Sequence, residues 1–242
     1  MEKIYTALGL MSGTSMDGVD VSVINSDGNA DYFGVFDQYF EYNKELYQKL
    51  INLRDKIINL EDLKINFKEI KLIEREITLF HAEVVNQIVK TSKINFDFIG
   101  FHGQTIYHNP TEKFTFQIGN SVQLANALKI NVVSDMRTAD IESGGQGAPL
   151  VPIYHYQCFK KFDIPLIVLN IGGVSNITCI NYDDLIAFDT GPGNSIINDW
   201  VSYSLDIQFD EYGNLAKNDE SELYYRFTSY VYPTTIFKYY YQ

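Results

Sequence analysis

The sequence predicts an α/β fold, and three patterns predict it. Short strands alternate with helical segments along the chain, apolar strands end in runs of small and polar residues, and a strand–turn–strand unit near residue 13 returns near residue 172. The recurrence suggests two halves, each presenting a small-residue turn at the end of a strand.

Each element follows from its own periodicity. Residues 4–12 are apolar and small, and Val19, Val21 and Val23 alternate with Asp20 and Ser22, so two strands flank the turn at 13–18. YFGVFDQYFEY reads as a third strand. Leu46, Leu50, Leu53 and Ile57 recur at helical spacing within 43–58, as do Ile70, Ile73, Ile77, Phe80, Val84 and Ile88 within 67–90. Both stripes are core faces. NFDFIGFHGQ and KFTFQIGN are strands, SVQLANAL a short helix, and INVVSDMR a further strand. TADIESGGQGAPLVP is rich in Gly, Ser and Pro and reads as the crossing between domains, dividing 1–138 from 139–242, with a helix within 148–162. IPLIVLNIGG, VSNITCI and LIAFDTGPGN are three strands, and SIINDWVSYSL a helix. The run beyond residue 221 is dense in aromatics without clean periodicity, and reads as an unfinished part of a fold.

Composition narrows the classes of function. A chain of 242 residues with 45% hydrophobic residues can bury a core, and its net charge of −12 argues against nucleic acid or an anionic membrane as a non-specific partner. Cys158 and Cys179 form no CxxC pair and no Cys/His cluster, so a structural zinc site is not expected. The amino-terminal residues read as a strand and not a signal peptide, and no apolar run approaches the length of a membrane span. A cytoplasmic location is the default expectation.

Five segments have the residue types for phosphate and proton chemistry. SGTSMDGVD, residues 12–20, offers backbone amides near Gly13 and Gly18, hydroxyls on Ser12, Thr14 and Ser15, and the carboxylates of Asp17 and Asp20, which suit a phosphate-bound Mg²⁺. It lacks the lysine of a Walker loop, and an ordinary hairpin turn fits it too. NIGGVSN, residues 170–176, is a second candidate cradle through Gly172 and Gly173, or again a plain turn. FDTGPGN, residues 188–194, sets Asp189 at a strand's carboxyl end, where ligands of open α/β sheets bind; it is either a general base or a strand cap. FHGQT, residues 101–105, brings His102, Gln104 and Thr105 to another strand end, while Arg137 and Asp140 precede the glycine-rich segment. An arginine can grip a carboxylate or phosphate bidentately, or form a surface ion pair. His81, His108 and His155 show no partner spacing.

Taken in order, GLMSGTSMDGVD, FHGQT, FQIGN, GGQGAPLVP, LNIGGVSN and FDTGPGN resemble the anhydro-N-acetylmuramic acid kinase family, from about residue 4 to about residue 215. The resemblance implies two actin-like ATPase (ribonuclease H-like) domains around a cleft, the second incomplete here. It implies ATP and Mg²⁺ as cofactors, an anhydro-sugar substrate and a possible homodimer. Gly13, Thr14, Ser15, Met16, Asp17, Gly18, Val19 and Asp20 match the first nucleotide-phosphate loop, with Asp17 as candidate metal ligand, and Gly172 and Gly173 match a second. Gln104, Arg137, Asp140, Gly191, Gly193 and Asn194 match sugar-side positions, and Asp189 the general base. Family members continue past residue 242 with a glycine-rich adenosine segment and a returning helix. The chain as written therefore reads as a shortened product with weak or absent activity. The alternatives are an inactive remnant of such a kinase and a non-enzymatic actin-fold binding module.

Overall fold

A computed structural model describes residues 3–29 and 31–217. The aromatic run beyond residue 221 lies outside these residues. The chain groups into two compact units, Met1–Lys161 and Phe162–Gln242. Both are mixed α/β, with helices accompanying a sheet.

The first unit is built on a six-stranded sheet. Strands β1 (Tyr5–Ser12), β2 (Gly18–Ser26) and β3 (Tyr32–Glu41) form an antiparallel meander. β4 (Phe98–Asn109) joins β1 in parallel, and β5 (Phe114–Ile118) and the short β6 (Asn131–Val133) both pair with β4. The order is β3-β2-β1-β4-β5, with β6 branching from β4. Alternation works as the sequence predicts: Val19, Val21 and Val23 are buried while Asp20 and Ser22 face outward.

Helices α1 (Lys44–Lys56) and α3 (Phe67–Ser92) supply the rest of the core through the two predicted stripes. Leu46, Leu50 and Leu53 of α1 and Ile70, Ile73, Ile77, Val84 and Ile88 of α3 pack with Leu8, Leu10, Ile99 and Phe101 of the sheet. α1 starts at Asn43, whose side chain accepts from the Leu46 amide at 2.9 Å. Between them lies α2 (Leu60–Ile65), which buries no side chain. It has no apolar stripe to announce it, and a capping box between Asn59 and Asp62 starts it instead. α4 (Ser121–Leu128) follows β5 as expected.

The segment after β6 departs from the sequence reading. The strand expected through residue 137 ends at Val133, Asp135 takes a left-handed conformation with φ 60°, and α5 (Met136–Glu142) begins. Positions 138 and 139 lie inside α5, and α6 (Pro152–Phe159) also belongs to the first unit.

The second unit contains an antiparallel sheet of β7 (Leu166–Ile171), β8 (Val174–Ile180) and β9 (Leu185–Pro192), then α7 (Ser195–Leu205), a 3₁₀ turn at Glu211–Gly213 and α8 (Asn214–Lys217). Cross-strand rows Ile167–Cys179–Ile186 and Leu169–Ile177–Phe188 share one face, and Ile167, Leu169, Ile186 and Phe188 are exposed on it.

Candidate functional site

The glycine loop of the first unit joins β1 to β2 and occupies residues 13–17. Gly13 and Met16 close a turn, with the Met16 amide donating to the Gly13 carbonyl at 3.2 Å. Met16 has φ 59° and points its side chain into the core, as does Val19. Of the predicted phosphate-loop residues these two therefore offer a ligand only their backbone. Thr14, Ser15, Asp17 and Asp20 are exposed. Ser15 Oγ donates to Asp17 Oδ1 at 2.6 Å, and burial, then the charge of Asp17, raises the Tyr39 phenol above its ordinary pKa. Burial, then the charge of Asp17, raises the Asp20 carboxyl above its ordinary pKa. Gly18 is a glycine of necessity: a Cβ there would collide with the Phe40 carbonyl and the Tyr39 ring.

Gln104 sits opposite Ser12 in the parallel β1–β4 register. It is fully buried and donates through Nε2 to the Gly13 carbonyl at 2.9 Å, while its Oε1 has no partner. Gln104 thus ties β4 to the glycine loop.

Arg137, Asp140 and His102 come together around the glycine-rich segment. Arg137 Nη1 donates to the Gly147 carbonyl at 2.6 Å, and the Gly147 amide donates to Asp140 Oδ2 at 2.7 Å. One turn of α5 therefore clasps both sides of Gly147 through residues three apart. Arg137 Nε also donates to His102 Nε2 at 2.7 Å, and His102 Nδ1 donates to the Gly103 carbonyl at 2.7 Å. That pattern requires a neutral imidazole protonated on Nδ1. Burial, then the Arg137 charge, lowers the His102 pKa to about 4. A shallow cleft lined by Phe101, His102, Gln117, Ser134 and Arg137 lies beside this cluster.

In the second unit the glycine turn and the carboxylate segment are bonded to each other. The Gly193 amide donates to the Gly173 carbonyl at 2.9 Å and the Asn194 amide to the Gly172 carbonyl at 2.8 Å. A Cβ on Gly193 would collide with the Gly172 carbonyl. Asp189 stands in a cross-strand row with Asn176 and Asn170, and a bulge follows where Ser175 pairs with Gly191. Asp189 is exposed, Asn176 Oδ1 is buried without a partner, and Thr190 Oγ1 donates to the Ser175 carbonyl at 3.1 Å. The row sets two amides beside one carboxylate, an arrangement able to orient a water and accept its proton.

A family model for anhydro-N-acetylmuramic acid kinase matches residues 5–224. The chain belongs to the anhydro-N-acetylmuramic acid kinase family. Curated relatives of that name agree in sequence with it. The kinase of Pelagibacter ubique is 50% identical over 228 residues, covering 91% of this chain and 61% of the relative. That of Rhodospirillum rubrum is 40% identical over 217 residues, covering 88% and 56%. That of Rhodopseudomonas palustris is 43% identical over 219 residues, covering 88% and 60%. The chain thus spans about three-fifths of the length of the family kinases it matches. No helix among the described residues is long and apolar enough to cross a membrane, and none of their His, Cys, Asp and Glu side chains gather in a metal-holding group of three or more.

The family's sequence signature did not reveal the groups that hold the site together. Tyr42, Tyr39 and His81 support the glycine loop from β3 and α3, and their partners lie far away in the chain.

Proposed function

We propose that this chain carries the phosphate-loop and sugar-side elements of an ATP-dependent kinase acting on 1,6-anhydro-N-acetylmuramic acid. Family membership across residues 5–224 supports this reading most strongly. In it, 1–138 and 139–242 are actin-like domains. Gly13 to Asp20 form one segment that takes phosphate of ATP, and the Gly172–Gly173 turn is a second. Gln104, Arg137, Asp140, Gly191, Gly193 and Asn194 shape the sugar side. A cytoplasmic homodimer belongs to the same reading.

The chemistry follows from the substrate's internal ether. Asp189 takes a proton from water, and the resulting hydroxide attacks C1. The C1–O6 bond breaks, and O6 takes the γ-phosphoryl group while ADP leaves. The products are N-acetylmuramic acid 6-phosphate, ADP and a proton, so ring opening and phosphorylation form one balanced event. Exposed loop amides and held carboxylates supply positioning and electrostatic stabilisation, the main resources of phosphoryl transfer. Asp17 and Asp20 suit Mg²⁺, which binds through one or two carboxylates plus phosphate oxygens, and the proton affinity of Asp20 already registers its acidic neighbour. Such an ion neutralises charge on the phosphates.

The test uses the whole 242-residue chain. Mg·ATP binding by calorimetry and sugar phosphorylation by product analysis are measured for the wild type and Asp189→Asn. The expected result is nucleotide binding in both, with turnover in the variant reduced by about two to four orders of magnitude. Absence of Mg·ATP binding would set this chain down as a non-catalytic member of the family.

A further inference from the structure

One residue straps the glycine loop at both ends. Ser12 is the last residue of β1 and Asp17 immediately precedes β2. Tyr42, just beyond β3, reaches both: its amide donates to the Asp17 carbonyl at 2.7 Å, and its hydroxyl lies 2.8 Å from Ser12 Oγ. Its ring stands edge-on to Phe80 of α3 at 4.9 Å, which fixes the position of the hydroxyl. Tyr42, Ser12 and His81 are all buried.

One proton order satisfies every group along this chain. His81 Nδ1 lies 2.8 Å from the Ile77 carbonyl, which only accepts, so Nδ1 carries the proton. Nε2 is then an acceptor for Ser12 Oγ, in a long bond of 3.5 Å. Ser12 in turn accepts from Tyr42. The three side chains therefore point their donors one way, from β3 through the foot of the loop into α3. Gln104 adds a separate tie at Gly13.

We propose that Tyr42 is a positioning residue that fixes the backbone of the 13–17 loop, through Ser12 and Asp17, in the shape that receives an anionic phosphate. The identity of the ligand as Mg·ATP rests on the function proposed above; the strap itself does not. A tyrosine kept only to fill the core would be replaceable by phenylalanine. A strap would not be, because a preorganised loop spends no binding free energy on ordering its amides.

The experiment compares the 242-residue wild type with Tyr42→Phe and Ser12→Ala, reading amide hydrogen exchange at residues 13–17, exchange in α3 as a stability control, and Mg·ATP affinity by calorimetry. The expected outcome is exchange at 13–17 about three- to tenfold faster with α3 unchanged, and affinity weaker by a similar factor. Unchanged loop exchange in a folded Tyr42→Phe chain overturns the proposal, as does faster exchange with unchanged affinity. If the wild type takes no Mg·ATP yet the loop exchanges faster in the variants, the strap stands and the kinase reading of this chain fails. If wild type and variant bind Mg·ATP alike with unchanged exchange, the strap fails and the kinase reading stands. Ser12→Ala retains the whole tyrosine ring, so the comparison survives if Tyr42→Phe does not fold.

Discussion

Arg137 donates through Nε to Nε2 of His102 at 2.7 Å, a bond available only while the imidazole is neutral. The guanidinium is both the partner and part of the reason for that neutrality, because a second positive charge beside it is disfavoured. Removing the arginine should therefore change the histidine. In Arg137→Ala, the His102 pKa is expected to rise from about 4 and to stay below 6.5, since burial is the larger cause of the shift. An NMR titration of the imidazole reads this directly. An unmoved titration would show that the arginine's charge is screened from the ring.

Acid should weaken the first unit through two histidines. His81 and His102 both have folded pKa values lowered to about 4, chiefly by burial, against an ordinary value of 6.5. Between those limits the unfolded chain binds more protons than the folded one. Stability is thus full above about pH 6.5 and falls as pH drops towards 4, with a slope approaching about 1.4 kcal/mol per pH unit for each histidine. Urea midpoints by circular dichroism at pH 7 and pH 4.5 test this. A midpoint constant across that interval would contradict it.

Gly18→Ala should destabilise where Gly34→Ala does not. At Gly18 a methyl group meets a backbone carbonyl of β3, which cannot swing aside as a side-chain tip would. The expected cost is about 1–3 kcal/mol. At Gly34, in the same strand pair, nothing lies within 4 Å of the added carbon, and the change should stay within about 0.5 kcal/mol. Paired urea denaturation curves give the comparison, and equal midpoints for the two variants would count against the collision.

The parts of this fold that were legible in the sequence are those set by local repetition. Val19, Val21 and Val23 mark a strand at period two, and Leu46, Leu50 and Leu53 mark a helix at spacings of four and three, because each pattern places apolar side chains on one buried face. α2 was missed because it buries nothing, and α5 because glycines crowd its end and mask a short helix of seven residues. The site divided in the same way. Gly18 and Gly193 could be singled out, since each stands in a run of small and polar residues beside a strand. The groups that hold the loops could not. Tyr42 meets Ser12 across 30 positions and His81 meets Ser12 across 69, and no local spacing encodes a contact made by folding distant strands and helices together. Arg137 and Gln104 were found as residues, but their bonds to His102, Gly147 and Gly13 belong to the tertiary structure alone.

The pair of hydrogen bonds between the Gly172–Gly173 turn and the Gly193 and Asn194 amides has a mechanical meaning. Asp189 lies only a few residues before those amides, on a strand that also ladders to β8. Turn and strand end are therefore tied backbone to backbone. A displacement of the turn carries the end of β9 with it, because the two backbone bonds and the β8–β9 ladder hold them together.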